Sequence, residues 1–248
     1  MLRSVLMRTA FARDAPTTIH RRRFGFVRMS ARIAVLISGE GRNLQALIDA
    51  CADGRIDGRI VCVLSNRAEA GGVRRAQRAG IATEVLSHRD YASRADFDAA
   101  MLARLAVHQP DFVVLAGFMR ILTPTFITAF AGRLLNIHPS LLPRHPGLRT
   151  HEAVLAAGDA SHGATVHFVT EELDGGPLII QGELSVYADD DSQTLAARVM
   201  DEIELKIYPQ AVAWMARGEL VLTGPQIRLG GRILAAPLGL AALEENFR

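Results

Sequence analysis

Between residues 33 and 137 one pattern repeats: a short, continuous apolar run, then a segment with apolar groups at helical spacing. Ile33-Ala34-Val35-Leu36-Ile37 is the first such run, and Leu44, Leu47, Ile48 and Cys51 mark one face of the helix expected over residues 43–52. The same grammar predicts strands at 60–64, 82–86, 112–116 and 134–137, separated by helices at 72–79, 94–107 and 124–130. Strands that are apolar throughout, rather than in alternation, are covered on both faces, which calls for a parallel sheet between two helical layers. The expected fold class is α/β, a doubly wound, mostly parallel sheet, whose ligands collect beyond the C-terminal ends of the strands.

After residue 137 the pattern changes. Strand-like segments at 164–169 and 177–186 flank a turn at Asp174-Gly175-Gly176, so antiparallel strands are expected toward the C-terminal half. A long helix over 192–217 carries Leu195, Val199, Ile203, Ile207 and Val212, and residues 219–248 read as a short strand pair and a loose tail. The expected organisation is a leader at 1–30, a domain at 31–220, and a C-terminal tail at 221–248 packed on or trailing it. With 248 residues and 49% apolar composition, the chain is large enough for one core. Its longest apolar stretches, 112–119 and 234–243, fall short of the roughly 20 residues of a membrane span.

The net charge of +2 hides an asymmetry: residues 1–30 hold seven arginines against Asp14 alone, leaving 21 basic and 25 acidic residues elsewhere. A mildly acidic body argues against a nucleic-acid partner. The leader lacks the apolar core of a secretory signal; its composition fits an organellar transit peptide, a start placed upstream of Met29, or a disordered basic arm. Cys51 and Cys62 show no C-x-x-C spacing, so neither a disulfide framework nor structural zinc is expected, and the cytoplasm is the expected compartment.

Three places carry candidate chemistry. Ser38-Gly39-Glu40-Gly41-Arg42-Asn43 lies at a strand-to-helix junction, where glycines admit a ligand to the backbone and free helix amides face an anion. Leu44 replaces the third glycine of a dinucleotide fingerprint and there is no P-loop Gly-Lys-Ser/Thr, so the segment is either a phosphate cradle or a plain glycine turn capped by Asn43. Asn136 and His138 share a side at the end of the fifth strand, and Pro139 stops that strand, which aims both at the crevice. Asp174 is either a solvated turn residue or, with His138 nearby, a carboxylate that favours the imidazolium. The loop Gly117-Phe118-Met119-Arg120-Ile121-Leu122 suits a pocket for a flat heterocycle or, equally, buried packing. His145, His151, His162 and His167 lack the spacing of a helical zinc motif, so no metal is expected. Ser38 and Ser140 lack the G-x-S-x-G elbow of a serine hydrolase.

Four segments, in order between about Arg32 and Leu220, resemble the folate-dependent formyltransferases. They are Ser38-Gly39-x-Gly41-x-Asn43-Leu44-Gln45, Leu115-Ala116-Gly117-Phe118-Met119-Arg120-Ile121-Leu122, Asn136-Ile137-His138-Pro139-Ser140-Leu141-Leu142-Pro143, and His167-Phe168-Val169-Thr170 leading to Leu173-Asp174-Gly175-Gly176-Pro177. The third is shared across folate formyl-group enzymes; the first singles out the glycinamide ribonucleotide branch. The resemblance implies a Rossmann-like fold and transfer of formyl from 10-formyltetrahydrofolate, as co-substrate, to the amine of 5-phosphoribosylglycinamide. It implies no tightly bound cofactor and only small-molecule partners, with no nucleic acid or membrane, in a monomer or homodimer. By the same resemblance Asn136, His138 and Asp174 are catalytic. Gly41, Arg42, Asn43 and Glu204 hold the phosphoribosylglycinamide. Arg94, Met119, Arg120, Ile121, Leu122, Asn136, Thr170, Glu171, Glu172, Leu173 and Asp174 hold the folate.

The chain departs from the family pattern in a few places. The segment from Arg198 to Glu204 is one residue longer than the family pattern, which leaves Glu202 as a substitute for Glu204. Glu40 and Arg42 stand where small polar residues are frequent; Arg42 suits phosphate, and Glu40 must point away or weaken binding. Arg149 stands where relatives often have His. Rival readings are a formyltetrahydrofolate hydrolase, expected to carry an added N-terminal regulatory domain, and a tRNA formylating enzyme, expected to carry a C-terminal RNA-binding domain. A third is a catalytically silent folate-binding module, which the matched Asn136, His138 and Asp174 disfavour.

Overall fold

The computed structural model describes residues 30–248; apart from Ser30, the expected leader lies outside them. Strands β1 (Ala31–Ile37), β2 (Gly58–Ser65), β3 (Thr83–Val85), β4 (Phe112–Leu115) and β5 (Leu134–His138) are parallel to one another. Two antiparallel strands, β6 (Ser161–Phe168) and β7 (Leu178–Ser185), complete a seven-stranded sheet of order β3-β2-β1-β4-β5-β6-β7. The chain leaves β1 toward β2 on one side, while β4 joins β1 on the other. That reversal opens a crevice outside the C-terminal ends of β1 and β4, the switch point of a doubly wound sheet.

Alternate residues of β1 feed two cores, because successive side chains of a strand point to opposite faces. Ile33, Val35 and Ile37 pack with Leu44 and Leu47 of α1 (Arg42–Ala52), Val73 of α2 (Gly71–Arg78), Leu195 and Val199 of α6 (Ser192–Val199), and Ile207 and Val212 of α7 (Leu205–Ala216). Ala34 and Leu36 pack on the opposite face with Phe97, Met101 and Leu105 of α3 (Arg94–His108) and Phe126 of α4 (Pro124–Ala129). Each such side chain removed from water contributes on the order of 1.5–3 kcal/mol, so the sheet is clamped from both sides.

The described structure departs from the sequence expectations in three places. A helix α5 (Thr150–Ala157) fills a stretch where none was expected; only Thr150 and Val154 of it are buried, too few to mark a helical face. The long helix expected over 192–217 is interrupted by a π-helical turn at Met200–Glu204 between α6 and α7. A π turn absorbs one surplus residue and returns the chain to its former phase, which accounts for the extra residue in this segment. The C-terminal residues are not loose. They form an antiparallel sheet of β8 (Leu220–Thr223), β9 (Gln226–Leu229) and β10 (Arg232–Ile233), and then dock. Leu238 exchanges backbone hydrogen bonds with Ile179 and Gln181 along the outer edge of β7, Trp214 donates to Glu244 at 3.0 Å, and Leu243 and Phe247 are buried. Among the described residues no helix is long and apolar enough to cross a membrane.

Candidate active site

The loop after β1 is built to bring backbone close to a ligand. Gly41, the residue before α1, has φ of 75°, and a Cβ there would lie 2.7 Å from the Gly72 Cα, so only glycine lets the loop seat against α2. Ser38 is buried and ties three loops together: its hydroxyl donates to Asn66 Oδ1 at 2.6 Å and accepts from the Met119 amide at 2.8 Å. The carboxylate of Glu40 lies against Gly71 at the start of α2, and Arg42 is paired with Asp201 of the π turn. Asn43 donates through Nδ2 to Glu204 Oε2 at 2.6 Å, whereas its buried Oδ1 has no partner among the described residues. Burial raises the Glu204 carboxyl above its usual range, against the opposing pull of Asn43 and the Arg42 guanidinium. Glu202, the alternative, is exposed and pairs with Arg198. Residues 38–43, with Arg67, Ala116, Gly117, Met119 and Met200, enclose a cavity of about 340 Å³.

The ends of β5 and β6 assemble the second group. Asn136 pairs with His167 across the antiparallel ladder, and its Nδ2 lies 3.1 Å from His167 Nε2. Nδ1 of the same ring faces the Phe168 carbonyl at 2.9 Å, which assigns the ring proton to Nδ1 and leaves Nε2 to accept from the amide. Burial lowers the His167 pKa and keeps this ring neutral, opposed by the Phe168 carbonyl and the Asp174 charge. An amide carries two hydrogens. The second one on Asn136 is left for the cleft.

His138 is 5% exposed, with Nε2 3.0 Å from the His145 carbonyl and Nδ1 3.5 Å from Asp174 Oδ2. Both ring nitrogens therefore face oxygen atoms. Asp174 sits at φ of 52°, and the Gly147 amide donates to its Oδ2 at 2.8 Å. Gly176 sets the approach of that loop to the sheet, since a Cβ there would fall 1.8 Å from the Phe168 carbonyl oxygen. The loop after His138 is held by Thr165, whose hydroxyl donates to the Ser140 carbonyl at 2.7 Å and accepts from the Leu142 amide at 3.1 Å.

Asn136, His138 and Asp174 line a cavity of about 490 Å³, which Arg94, Met119, Arg120, Ile121 and Leu173 also border. A smaller, adjoining space of about 100 Å³ is bordered by Leu122, Asn136, His167, Thr170, Glu171, Glu172 and Asp174. Gly117 and Met119 are common to the larger cleft and to the glycine-loop cavity, so the two open side by side.

Every residue expected to meet folate thus borders one connected cleft, and Gly41, Arg42 and Asn43 border its neighbour. Arg42 is engaged with Asp201 rather than free, and Glu40 is turned onto α2. Sequence reasoning missed the wall formed by Leu148, Arg149, Thr150 and His151, which follows from the unexpected α5. It also missed the anchoring of Asn136 by His167, although both residues lie within the formyltransferase-like motifs. Among the described residues no cluster of three or more His, Cys, Asp or Glu is placed to hold a metal ion.

Comparison with known proteins adds independent findings. Residues 31–212 match the family model described as formyl transferase. The phosphoribosylglycinamide formyltransferase of Escherichia coli K12 is 50% identical over 212 residues, covering 86% of this chain and 99% of that protein. Among solved structures, the phosphoribosylglycinamide formyltransferase of Coxiella burnetii superposes with a TM-score of 0.80 at 45% identity, covering 84% of this chain and 98% of that one. The glycinamide ribonucleotide transformylase 1 of Symbiobacterium toebii gives a TM-score of 0.78 at 46% identity, covering 81% and 94%.

Proposed function

Because the chain belongs to the formyl transferase family, we propose that it transfers formyl from 10-formyltetrahydrofolate to the amine of 5-phosphoribosylglycinamide. This is a step of purine biosynthesis that uses the folate as co-substrate, with no tightly bound cofactor. The observation that carries the reading is the 3.5 Å approach of His138 to Asp174, beside Asn136, in a cleft that adjoins a glycine-loop cavity.

Attack of the amine on the formyl carbon creates a tetrahedral oxyanion. The free hydrogen of the Asn136 amide is the donor suited to that oxygen, and one such donor contributes a rate factor of roughly 10²–10³. The attacking nitrogen must lose a proton and the departing folate N10 must gain one, so a single imidazole that gives and takes protons serves both needs. Asp174, 3.5 Å from Nδ1, keeps the ring oriented. The amides at Gly41, Arg42 and Asn43 receive the phosphate. Glu204 and the unpartnered Asn43 Oδ1 accept from the donor-rich remainder of the substrate. The apolar floor around Met119 to Leu122, with Thr170 to Asp174, receives the pterin, and Arg94 meets the far end of the folate.

In this reading the partners are the two small molecules, the compartment is the cytoplasm, and the protein works as a monomer or homodimer. The test is turnover of 10-formyltetrahydrofolate by the full chain with and without phosphoribosylglycinamide. Formylated product that depends on the amine supports the transferase. Folate turnover that ignores the amine identifies a hydrolase instead.

A further inference from the structure

Asp98 lies on α3, only 2% exposed, and no step of formyl transfer described above uses it. Among the described residues it makes no ion pair, and its Oδ2 accepts two hydrogen bonds from one residue, the Thr123 amide at 2.6 Å and the Thr123 hydroxyl at 2.7 Å. Withdrawing a carboxyl group from water without a cation is costly, and the bonds made in so dry a place are correspondingly strong. Thr123 ends the loop that follows β4 and precedes Pro124, the first residue of α4. A threonine there ordinarily caps the helix with its own hydroxyl. Here that hydroxyl is turned to Asp98 and caps nothing.

The loop that Thr123 closes is a wall of the larger cleft. Phe118 and Leu122 pack inward beside α3, but Met119 and Ile121 are each 56% exposed where they border the cleft. Among the described residues the backbone of Arg120, Ile121 and Leu122 makes no hydrogen bond. The polar anchors stand at the two ends: the Ser38 hydroxyl takes the Met119 amide, and Asp98 takes Thr123. Arg94, which borders the same cleft, stands four residues before Asp98 and so one turn away on the same face of α3. One helix thus carries a cation of the cleft and the anchor of its apolar wall.

We propose that Asp98 is a positioning residue for the folate co-substrate: by gripping Thr123 it holds the wall from Met119 to Leu122 at a set distance from Arg94. The proposal rests on the folate reading of the cleft. A folate that touches both the wall and Arg94 then binds to a surface already in place, and freeing the wall adds the cost of ordering it to the binding step. Asn136, His138 and Asp174 sit on other elements, so the effect belongs to folate binding and not to the chemical step.

The test is steady-state kinetics of the full chain on both substrates with Asp98→Ala, Asp98→Asn and Thr123→Val. Loss of two buried hydrogen bonds in Asp98→Ala is expected to raise the KM for 10-formyltetrahydrofolate about tenfold, with kcat and the KM for phosphoribosylglycinamide within about twofold of wild type. In Asp98→Asn the amide oxygen still accepts from Thr123, which is expected to return the folate KM to within about twofold of wild type. Thr123→Val removes only the hydroxyl; it is expected to raise the same KM about threefold and to add nothing to Asp98→Ala. A folate KM unchanged in Thr123→Val and in a folded Asp98→Ala overturns the proposal, as does an Asp98→Asn as impaired as the alanine variant. A loss that falls equally on kcat and on both KM values also overturns it, because that pattern marks Asp98 as support for the fold alone. If Asp98→Ala does not fold, Thr123→Val decides by itself. Failure of the wild type to turn over the folate overturns the reading of the cleft instead.

Discussion

Asn136 and His167 are locked together across the β5–β6 ladder, amide nitrogen to ring nitrogen at 3.1 Å, with the ring fixed in turn by the Phe168 carbonyl. Their register makes the histidine a support for the amide. Asn136→Ala is expected to lower kcat about 10²–10³-fold, the loss of one oxyanion donor. His167→Phe keeps the ring volume but removes the acceptor, and is expected to lower kcat by about tenfold with little change in either KM. Steady-state kinetics on both substrates check the split.

Asp174 has two tasks that substitution can separate. Asn in its place still accepts from the Gly147 amide at the observed 2.8 Å but carries no charge toward His138. Asp174→Asn is therefore expected to retain the fold and lose about 10²-fold in kcat, comparable to His138→Ala. The double variant is expected to lose far less than the product of the two, because the groups act as one unit. Strictly multiplicative losses would separate them.

Arg42 is held by Asp201 at the rim of the glycine loop. Both side chains are substantially exposed, so the pair is weak and exchangeable. Asp201→Asn is expected to release Arg42 and lower the KM for phosphoribosylglycinamide about threefold, and Arg42→Ala to raise it. Substrate titrations at two salt concentrations check both directions.

Gly41 combines φ of 75° with a backbone so close to α2 that an added methyl carbon would come within 2.7 Å of the Gly72 Cα, so Gly41→Ala both strains the backbone and collides with that helix. The expected cost is about 1–3 kcal/mol of stability, read by denaturant unfolding, along with a raised KM for the phosphorylated substrate.

His162 supplies a pH dependence of stability. Burial, and then the neighbouring His151, His145 and Arg144, push its pKa down to about 4, against an unfolded value near 6.5. Between those values the unfolded chain binds a proton that the folded chain refuses. Stability is therefore complete above about pH 6.5 and is lost as pH falls toward about 4, with a slope of at most about 1.4 kcal/mol per pH unit. Unfolding midpoints are expected to drop from pH 7 to pH 5, and His162→Asn to flatten that slope.

What the sequence revealed, and what it hid, follows from the range of each signal. Ile33 to Ile37 and the glycines after it are local, so the strand, the turn and the helix behind it were legible. The surplus residue before Glu204 was visible as a count, but its resolution into a π turn depends on α6 and α7 both packing on the sheet. The contact of Asn136 with His167 depends on strand register, which no local pattern encodes. α5 was missed because its inward face is so narrow, and with it went the placement of Arg149.

The docking of Leu238 along β7 gives the chain a built-in selvage. Where that tail lies, the backbone groups of Ile179 and Gln181 are already spoken for, so a second subunit cannot extend the sheet by adding a strand there. At the opposite border of the sheet the three-residue β3 is a short edge. Cutting the chain ahead of Leu238 would unhem the sheet and invite sticky, non-native strand addition.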